Sequence, residues 1–344
     1  MYASERAPEL ATESKTMKGF IKKLAEWWGA KAVSEVKRST CKEYVAWRTS
    51  QVHGSFTVNA TERTVSDQTA RRELEVLSAA IGFWDGEHKL TVRPIVWLPE
   101  KAETNREALT RSEGAALLWA AMGWQRQEDG SWTRLPNFTR TNRTHLRRFL
   151  LIGFYTGTRS KAIMSLLWEE SARQAWVDLD AGMIYRRGTA ERDHANKRRP
   201  VVKIPRRLLA HMRRWRDMDK RLEAERRAEE EAAGLKPTFR LVSVIHYGGK
   251  PIVGRPRTSF EGCVADARIR PDATPHWLRH SAATWLMEGG ADVWDASGYL
   301  GMTPQTLMDN YGHHRPDYQA AARTAVAGRR EPALKVVSRE QSRE

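Results

Sequence analysis

The last quarter of the chain is punctuated so tightly that only short helices fit between the marks. Thr274 is a good helix N-cap, and Pro275 suits the first helical position, where its missing N–H would have no partner in any case. The helix that opens there is predicted to run to Glu288 and to stop at Gly289-Gly290, where a left-handed residue carries no steric penalty. A second short helix is predicted after Asp292, and a third after Thr303-Pro304, which repeats the cap-plus-proline signal. The third ends at Gly312 and carries Tyr311 in its last turn. His276 and Arg279 are three apart, so they project from one side of the first helix near its start.

These residues resemble the catalytic box of the tyrosine recombinase (phage integrase) family. That box has a His-x-x-Arg, then a Leu-Gly-His, then a tyrosine nine residues on. Here His276-x-x-Arg279 and Leu300-Gly301 match, and Tyr311 stands nine positions after residue 302. Position 302 is Met302, where the family usually has His and sometimes Trp, so the resemblance is to a subgroup with methionine at that place. A lone His-x-x-Arg is common by chance, whereas the ordered set with its spacing intact is not. Upstream, the apolar helix predicted from His145 to Tyr155 ends in Thr156-Gly157-Thr158-Arg159. This resembles the family's first arginine box, in which the turn delivers an arginine to the scissile phosphate. A planar fork of donors suits bidentate contact with two phosphate oxygens. The family often places a carboxylate three residues after that arginine; here it is Ala162.

Three short strands are predicted at Trp176–Leu179, Gly182–Arg186 and Pro200–Pro205, a small antiparallel sheet. Family members carry a catalytic lysine on such a hairpin, about eight residues before the proline that closes the last strand, and Lys197 stands there. Arg198, Arg199 and Lys203 stay open as alternatives for that role, or as contacts to the DNA backbone. The resemblance thus implies Arg159, Lys197, His276, Arg279 and Tyr311 as the catalytic set. The tyrosine would be the nucleophile, the arginines would bind the developing phosphorane charge, the histidine would take the phenol proton and the lysine would be the general acid. It implies a reaction that needs neither metal, ATP nor other cofactor.

The remainder of the chain reads as helical. Residues 1–14 are expected to be a loose leader. Residues 15–89 are expected to form a helical bundle with helices over Lys15–Trp28, Thr40–Gln51 and Asp67–Trp84. In the last of these Leu74, Leu77, Ile81 and Trp84 are expected inside and Arg71 and Arg72 outside. In the family this position holds a DNA-clamping core-binding domain, which makes Arg71 and Arg72 candidate DNA contacts. Residues 90–106 lack helical period and contain Pro94 and Pro99, so they read as a linker. The catalytic domain is expected over 107–327, opening with a Thr110-x-x-Glu113 capping box, and 328–344 as a basic tail. Asp129-Gly130 marks a hairpin. Residues Arg206–Ala233 read as a solvated, charge-laced helix, Leu241–Ile245 as a strand, Gly248-Gly249 as a turn and Thr258–Arg268 as a helix. The expected fold is mainly α: a helical core-binding domain plus a mostly helical catalytic domain with a small antiparallel sheet.

Composition agrees with a polyanionic partner. Lys and Arg number 58 against 42 Asp and Glu, a net charge of +16. The resemblance makes that partner double-stranded DNA. The resemblance adds a homo-oligomer on DNA, a tetrameric synapse, with accessory DNA-bending proteins. Cys41 and Cys263 make no disulfide framework, as suits a reducing cytoplasm, with the protein at the nucleoid when bound to DNA. No signal peptide is read in Met1–Lys18, and the apolar run 149–154 is too short to span a bilayer. His276 with His280, or His313 with His314, lacks the third ligand of a zinc site, and no Walker or Gly-x-Gly-x-x-Gly loop is present. Two alternatives use the same residues: a DNA-binding regulator that has lost cleavage, which Met302 and Ala162 would suit, and a type IB topoisomerase.

Overall fold

The computed structural model describes residues 1–10, 14–52, 64–102, 107–191, 198–252, 254 and 256–326. The protein is mainly α and divides into two compact units, Met1–Asn105 and Arg106–Glu344. In the first, α1 (Ser14–Trp28), α2 (Arg38–Thr49) and α3 (Asp67–His88) bury Tyr44, Cys41, Ala70 and Leu74 between them. Burying four such side chains together drives this packing, since an isolated helix of this length is marginal in water. One buried position breaks the apolar pattern: Glu73, on the core side of α3, accepts hydrogen bonds from Tyr44 Oη at 2.7 Å and Arg48 Nε at 3.0 Å. A buried carboxylate is tolerable only when it is paired in this way.

Four expectations change in this unit. The leader is not loose: Tyr2–Arg6 and Ala7–Glu9 form helical turns, Ala7 is buried, and the Tyr2 ring meets Phe83 edge-on. Residues 90–102 do not hang between units, because Val96, Trp97 and Leu98 pack on the core of the first. That return path turns Arg71 inward. Its guanidinium donates to the Pro99 carbonyl and pairs with Glu75 at 3.1 Å, while Arg72 stays exposed. Trp84, near the end of α3, is exposed and stacks on His88 instead of entering the core.

The second unit opens with α4 (Arg111–Ala121), whose capping box is formed: Thr110 Oγ1 accepts the Glu113 N–H and Glu113 Oε2 accepts the Thr110 N–H. The hairpin β1 (Trp124–Arg126) and β2 (Trp132–Arg134) follows, then α5 (Asn137–Asn142), α6 (Thr144–Thr156) and α7 (Ser160–Met164). Strands β3 (Trp176–Asp178), β4 (Met183–Tyr185) and β5 (Val202–Lys203) make an antiparallel sheet in sequence order. The long α8 (Arg206–Ala232), the hairpin β6 (His246–Tyr247) and β7 (Lys250–Pro251), and α9 (Arg257–Ala267) lead to the last group. That group is α10 (Trp277–Glu288), α11 (Val293–Leu300), α12 (Pro304–Tyr311) and α13 (Ala320–Val326). Two boundaries differ from expectation. Thr274-Pro275 forms a turn, closed by the Trp277 N–H on the Thr274 carbonyl, and α10 starts at Trp277. Residues 241–245 are not a strand, because their backbone pairs only at isolated points with 166–168 and the ladder begins at His246.

Helix α6 runs through the core of this unit, packed on α10 and α4, with Leu146, Phe149, Leu150 and Ile152 wholly buried. Its partner α8 is solvated except on one face of its first half. Leu208, Met212, Trp215 and Asp219 recur every three or four residues on one face and enter the core, which a count of its charges obscures. Asp219 there accepts a two-pronged contact from Arg148 of α6, at 2.6 and 2.7 Å, and the Trp168 indole N–H at 2.8 Å. His246 Nε2 lies 3.1 Å from the same carboxylate. Burial alone would raise the Asp219 pKa, but the hydrogen bonds from Arg148 and His246 outweigh it and hold the carboxyl below its usual range. A carboxyl depressed in the folded state contributes stability above its unfolded pKa and loses it as pH falls through the folded one. Asp219→Asn is therefore expected to lose about 3–5 kcal/mol in denaturant unfolding at neutral pH. That difference should shrink on acidification below about pH 4, the ordinary aspartate range. An equal difference at pH 7 and pH 3 would show that charge at Asp219 is irrelevant.

Candidate active site

The site forms where α6 ends. Gly157 takes a left-handed conformation (φ +60°) and terminates the helix, so the chain turns sharply and Arg159 becomes the N-cap of α7. A side chain at Gly157 would also collide with Leu300, since a Cβ there would lie 2.4 Å from its Cδ2. The Arg159 side chain is half-buried, and Nη1 donates to the Arg198 carbonyl at 2.9 Å. Burial lowers its pKa, assisted by the positive charge of Arg199. From α10, Arg279 is 7% exposed and donates through Nη1 to the Gly157 carbonyl at 2.8 Å. Its pKa falls to about 10, first through burial and then through the charge of Arg159, with Tyr311 acting in the opposite direction. Arg159, Arg279 and Tyr311 thus share one electrostatic neighbourhood although they are far apart in sequence.

Tyr311 closes α12, a helix capped as expected by Thr303 Oγ1 on the Thr306 N–H. Its ring is buried with Leu300 and Leu307, and its phenol oxygen lies 2.5 Å from His280 Nδ1. His280 packs edge-on against His276, with ring centroids 4.7 Å apart. His276 is exposed at the head of α10. The histidine against the phenol is therefore the one directly after Arg279, which the sequence by itself presents only as a candidate metal ligand. The signal was available: His276 and His280 are one helical turn apart, so whatever one faces, the other faces as well.

The other anticipated residues divide. Lys197 lies outside the described residues. Arg198 is exposed and serves the site through its carbonyl. Arg199 pairs with Glu191 at 2.7 Å, and Lys203 is exposed on β5. Met302 packs on the cluster that holds Leu300, Leu307 and Tyr311, and Ala162 packs on the main core. Gly301 (φ +68°) ends α11 against the segment after residue 197: a Cβ there would lie 2.6 Å from Pro200 and 2.8 Å from the Arg198 carbonyl. His313 and His314 stack on each other at 4.0 Å just beyond Tyr311. Arg71 and Arg72 belong to the first unit. The arrangement gathers two arginine forks and a tyrosine–histidine pair, groups that can hold a phosphodiester and supply an oxygen nucleophile.

Residues 131–317 match the model of the phage integrase family. The tyrosine recombinase XerC of Mycobacterium tuberculosis is 43% identical over 61 residues, 18% of this chain and 20% of that protein. XerC of Mycobacterium leprae matches over the same length with the same identity. The chain thus spans about a fifth of the length of these curated relatives. Among solved structures, the Tn1549 transposon integrase in complex with transposon right-end DNA superposes with a TM-score of 0.62 at 14% identity. That match covers 95% of this chain and 98% of the other. The XerH site-specific recombinase bound to its difH substrate gives 0.50 at 15% identity, over 90% of this chain and 77% of the other. At these identities the structural likeness establishes the fold.

Two substitutions separate the tight contact at Gly157 from the adaptable one at Met302. Gly157→Ala places a Cβ against Leu300 on a left-handed residue, and is expected to destabilise by about 1–3 kcal/mol. Met302→Leu nearly conserves volume and is expected to change stability by less than about 1.5 kcal/mol. Denaturant midpoints at constant m-value report both, and the reverse order would refute the packing assigned to the two residues.

Proposed function

The chain belongs to the phage integrase family, and on that premise we propose that it is a site-specific tyrosine recombinase that cuts and rejoins DNA to integrate or excise a mobile element. The observation that carries the reading is the phenol of Tyr311 held on His280 beside two arginines that converge on the end of α6. In this mechanism His280, with His276 next to it, takes the phenol proton as the tyrosine oxygen attacks the scissile phosphorus. A 3′-phosphotyrosyl bond forms, the bond to the 5′ oxygen breaks, and that oxygen leaves with a proton from Lys197. Arg159 and Arg279 bind the non-bridging oxygens, whose negative charge grows in the transition state. The broken linkage is conserved in the new one, so rejoining is the same reaction reversed and needs no nucleotide. The partner is double-stranded DNA, gripped also by the helical first unit through Arg72 and, nearer the site, by Arg198 and Lys203. A tetramer assembled on two DNA sites, with DNA-bending accessory proteins, completes the proposal.

A second reading has one feature in its favour. Met302 offers no donor where a histidine or tryptophan would hydrogen-bond the phosphate, since a thioether has only a weak acceptor. A regulator that binds the site without cutting would tolerate that. A nicked suicide duplex decides between them, because its cleaved end diffuses away and traps the covalent product. The wild-type chain is expected to accumulate the adduct, Tyr311→Phe to bind with unchanged affinity and form none, and Met302→Leu to cleave near the wild-type rate. Binding with no adduct in the wild type would establish the regulator instead.

The general acid is tested separately. Lys197→Ala is expected to slow adduct formation by roughly two orders of magnitude. A 5′-bridging sulfur, whose thiolate leaves without a proton, should restore most of that rate; no rescue would move the acid to Arg198 or Lys203. Affinity should also fall steeply with salt as phosphate counterions are released. A flat dependence would show that the charge of +16 serves another end.

A further inference from the structure

Directly after β4, Arg186 is 4% exposed, yet among the described residues it faces no carboxylate. A buried guanidinium without a counter-ion is tolerable only if other acceptors take its donors. Here all three donor nitrogens are used, each on a different acceptor. Nε donates to Thr158 Oγ1 at 2.9 Å, Nη2 to the Thr156 carbonyl at 2.5 Å and Nη1 to the Tyr299 carbonyl at 2.7 Å. The Thr156 carbonyl belongs to the last turn of α6, where helix carbonyls lack intrahelical partners. Thr158 immediately precedes Arg159, and Tyr299 stands two residues before Gly301, which packs on the Arg198 carbonyl that Arg159 in turn holds.

We propose that Arg186 is a positioning residue for phosphate binding: its fork ties the turn that carries Arg159 to the Tyr299–Gly301 turn, and so fixes Arg159 before DNA arrives. The proposal rests on reading Arg159 as a ligand of the scissile phosphate. Two arginines from different elements then fasten consecutive carbonyls of one turn, Arg186 on Thr156 and Arg279 on Gly157. Among the described residues, Arg186 also meets no counter-charge beside the site. Burial, then the charges of Arg279 and Arg159, pull its pKa down to about 9, which still leaves it protonated at neutral pH. Three arginines thus surround one turn, a potential suited to the anion that Arg159 and Arg279 are to bind. Lysine could not replace it, since one ammonium cannot reach all three of these acceptors as the guanidinium fork does.

The test uses single-turnover trapping on the nicked duplex, with either a normal phosphodiester or a charge-neutral methylphosphonate at the scissile position. Arg186→Met and Arg186→Lys are compared with Arg159→Ala and with the Arg159→Ala/Arg186→Met double variant. On the phosphodiester, Arg186→Met is expected to cleave on the order of 100-fold more slowly, the effect of misplacing a reacting group by about an ångström, with DNA affinity little changed. Arg186→Lys should fall between it and wild type. The loss should shrink on the methylphosphonate, as for Arg159→Ala, because a neutral phosphate no longer needs the arginine. The double variant should be no slower than Arg159→Ala alone. A loss of equal size on both substrates, additive effects in the double variant, or a wild-type rate for Arg186→Met would overturn the proposal. Should the Arg186 variants fail to fold, Thr158→Val decides. It removes the Nε acceptor but keeps Arg186, and a wild-type rate there would equally overturn the proposal. If the wild-type chain itself forms no adduct, the recombinase reading fails first, an outcome distinct from any of these.

Discussion

The carbonyl groups at the C-terminal end of α6 are the constraint around which the second unit is arranged. Every helix ends with carbonyls that its own backbone cannot satisfy, and a helix buried in a core cannot leave them to water. This one ends in a left-handed glycine, and arginines directly after β4 and on α10 reach the carbonyls of Thr156 and Gly157. One requirement of backbone hydrogen bonding therefore brings strand, helix and turn together. It also concentrates positive charge where a phosphate would sit. The pKa values of Arg186 and Arg279 are lowered first by burial and only second by the charge of a neighbouring arginine.

Rigidity behind the site comes from the opposite kind of contact. At the middle of α6, Arg148 meets Asp219 of α8, with Trp168 and His246 completing the set. Here the charges are matched by a two-pronged ion pair, with the Val244 carbonyl as a further acceptor, so burial is stabilised mainly by pairing. The same helix is therefore held by an ion pair at its centre and, among the described residues, by arginines on neutral carbonyls at its end. The first arrangement fixes a core, whereas the second leaves binding capacity for an anion.

The apolar side of the site explains how Tyr311 can be both fixed and chemically equipped. Its ring belongs to a small cluster with Leu300, Leu307 and Met302, while its oxygen is the one part turned to His280. Met302 contributes packing to that cluster. Its side chain fills space next to the tyrosine, a role that flexible methionine fills well.

Local signals determined much of the outcome. Helix caps at Thr110, Asp292 and Thr303, the Asp129-Gly130 hairpin and the three-stranded sheet follow from short-range backbone chemistry, and so could be read in order along the chain. The spacing of Arg159, His276, Arg279 and Tyr311 likewise marked the family. What depended on long-range contact was not legible. Arg71 turns inward only because residues 90–102 fold back on α3, and the first residues pack because Phe83 is there to receive Tyr2. The apolar face of α8 is masked by its charges, and α10 starts later than its threonine–proline signal. The partnership of His280 with Tyr311, and of Arg186 with Thr156, Thr158 and Tyr299, joins residues separated by 28 to 113 positions. A sequence displays which groups can donate and accept over a few residues. Which distant donor meets which acceptor is settled only when the core closes and every buried polar group must find a partner.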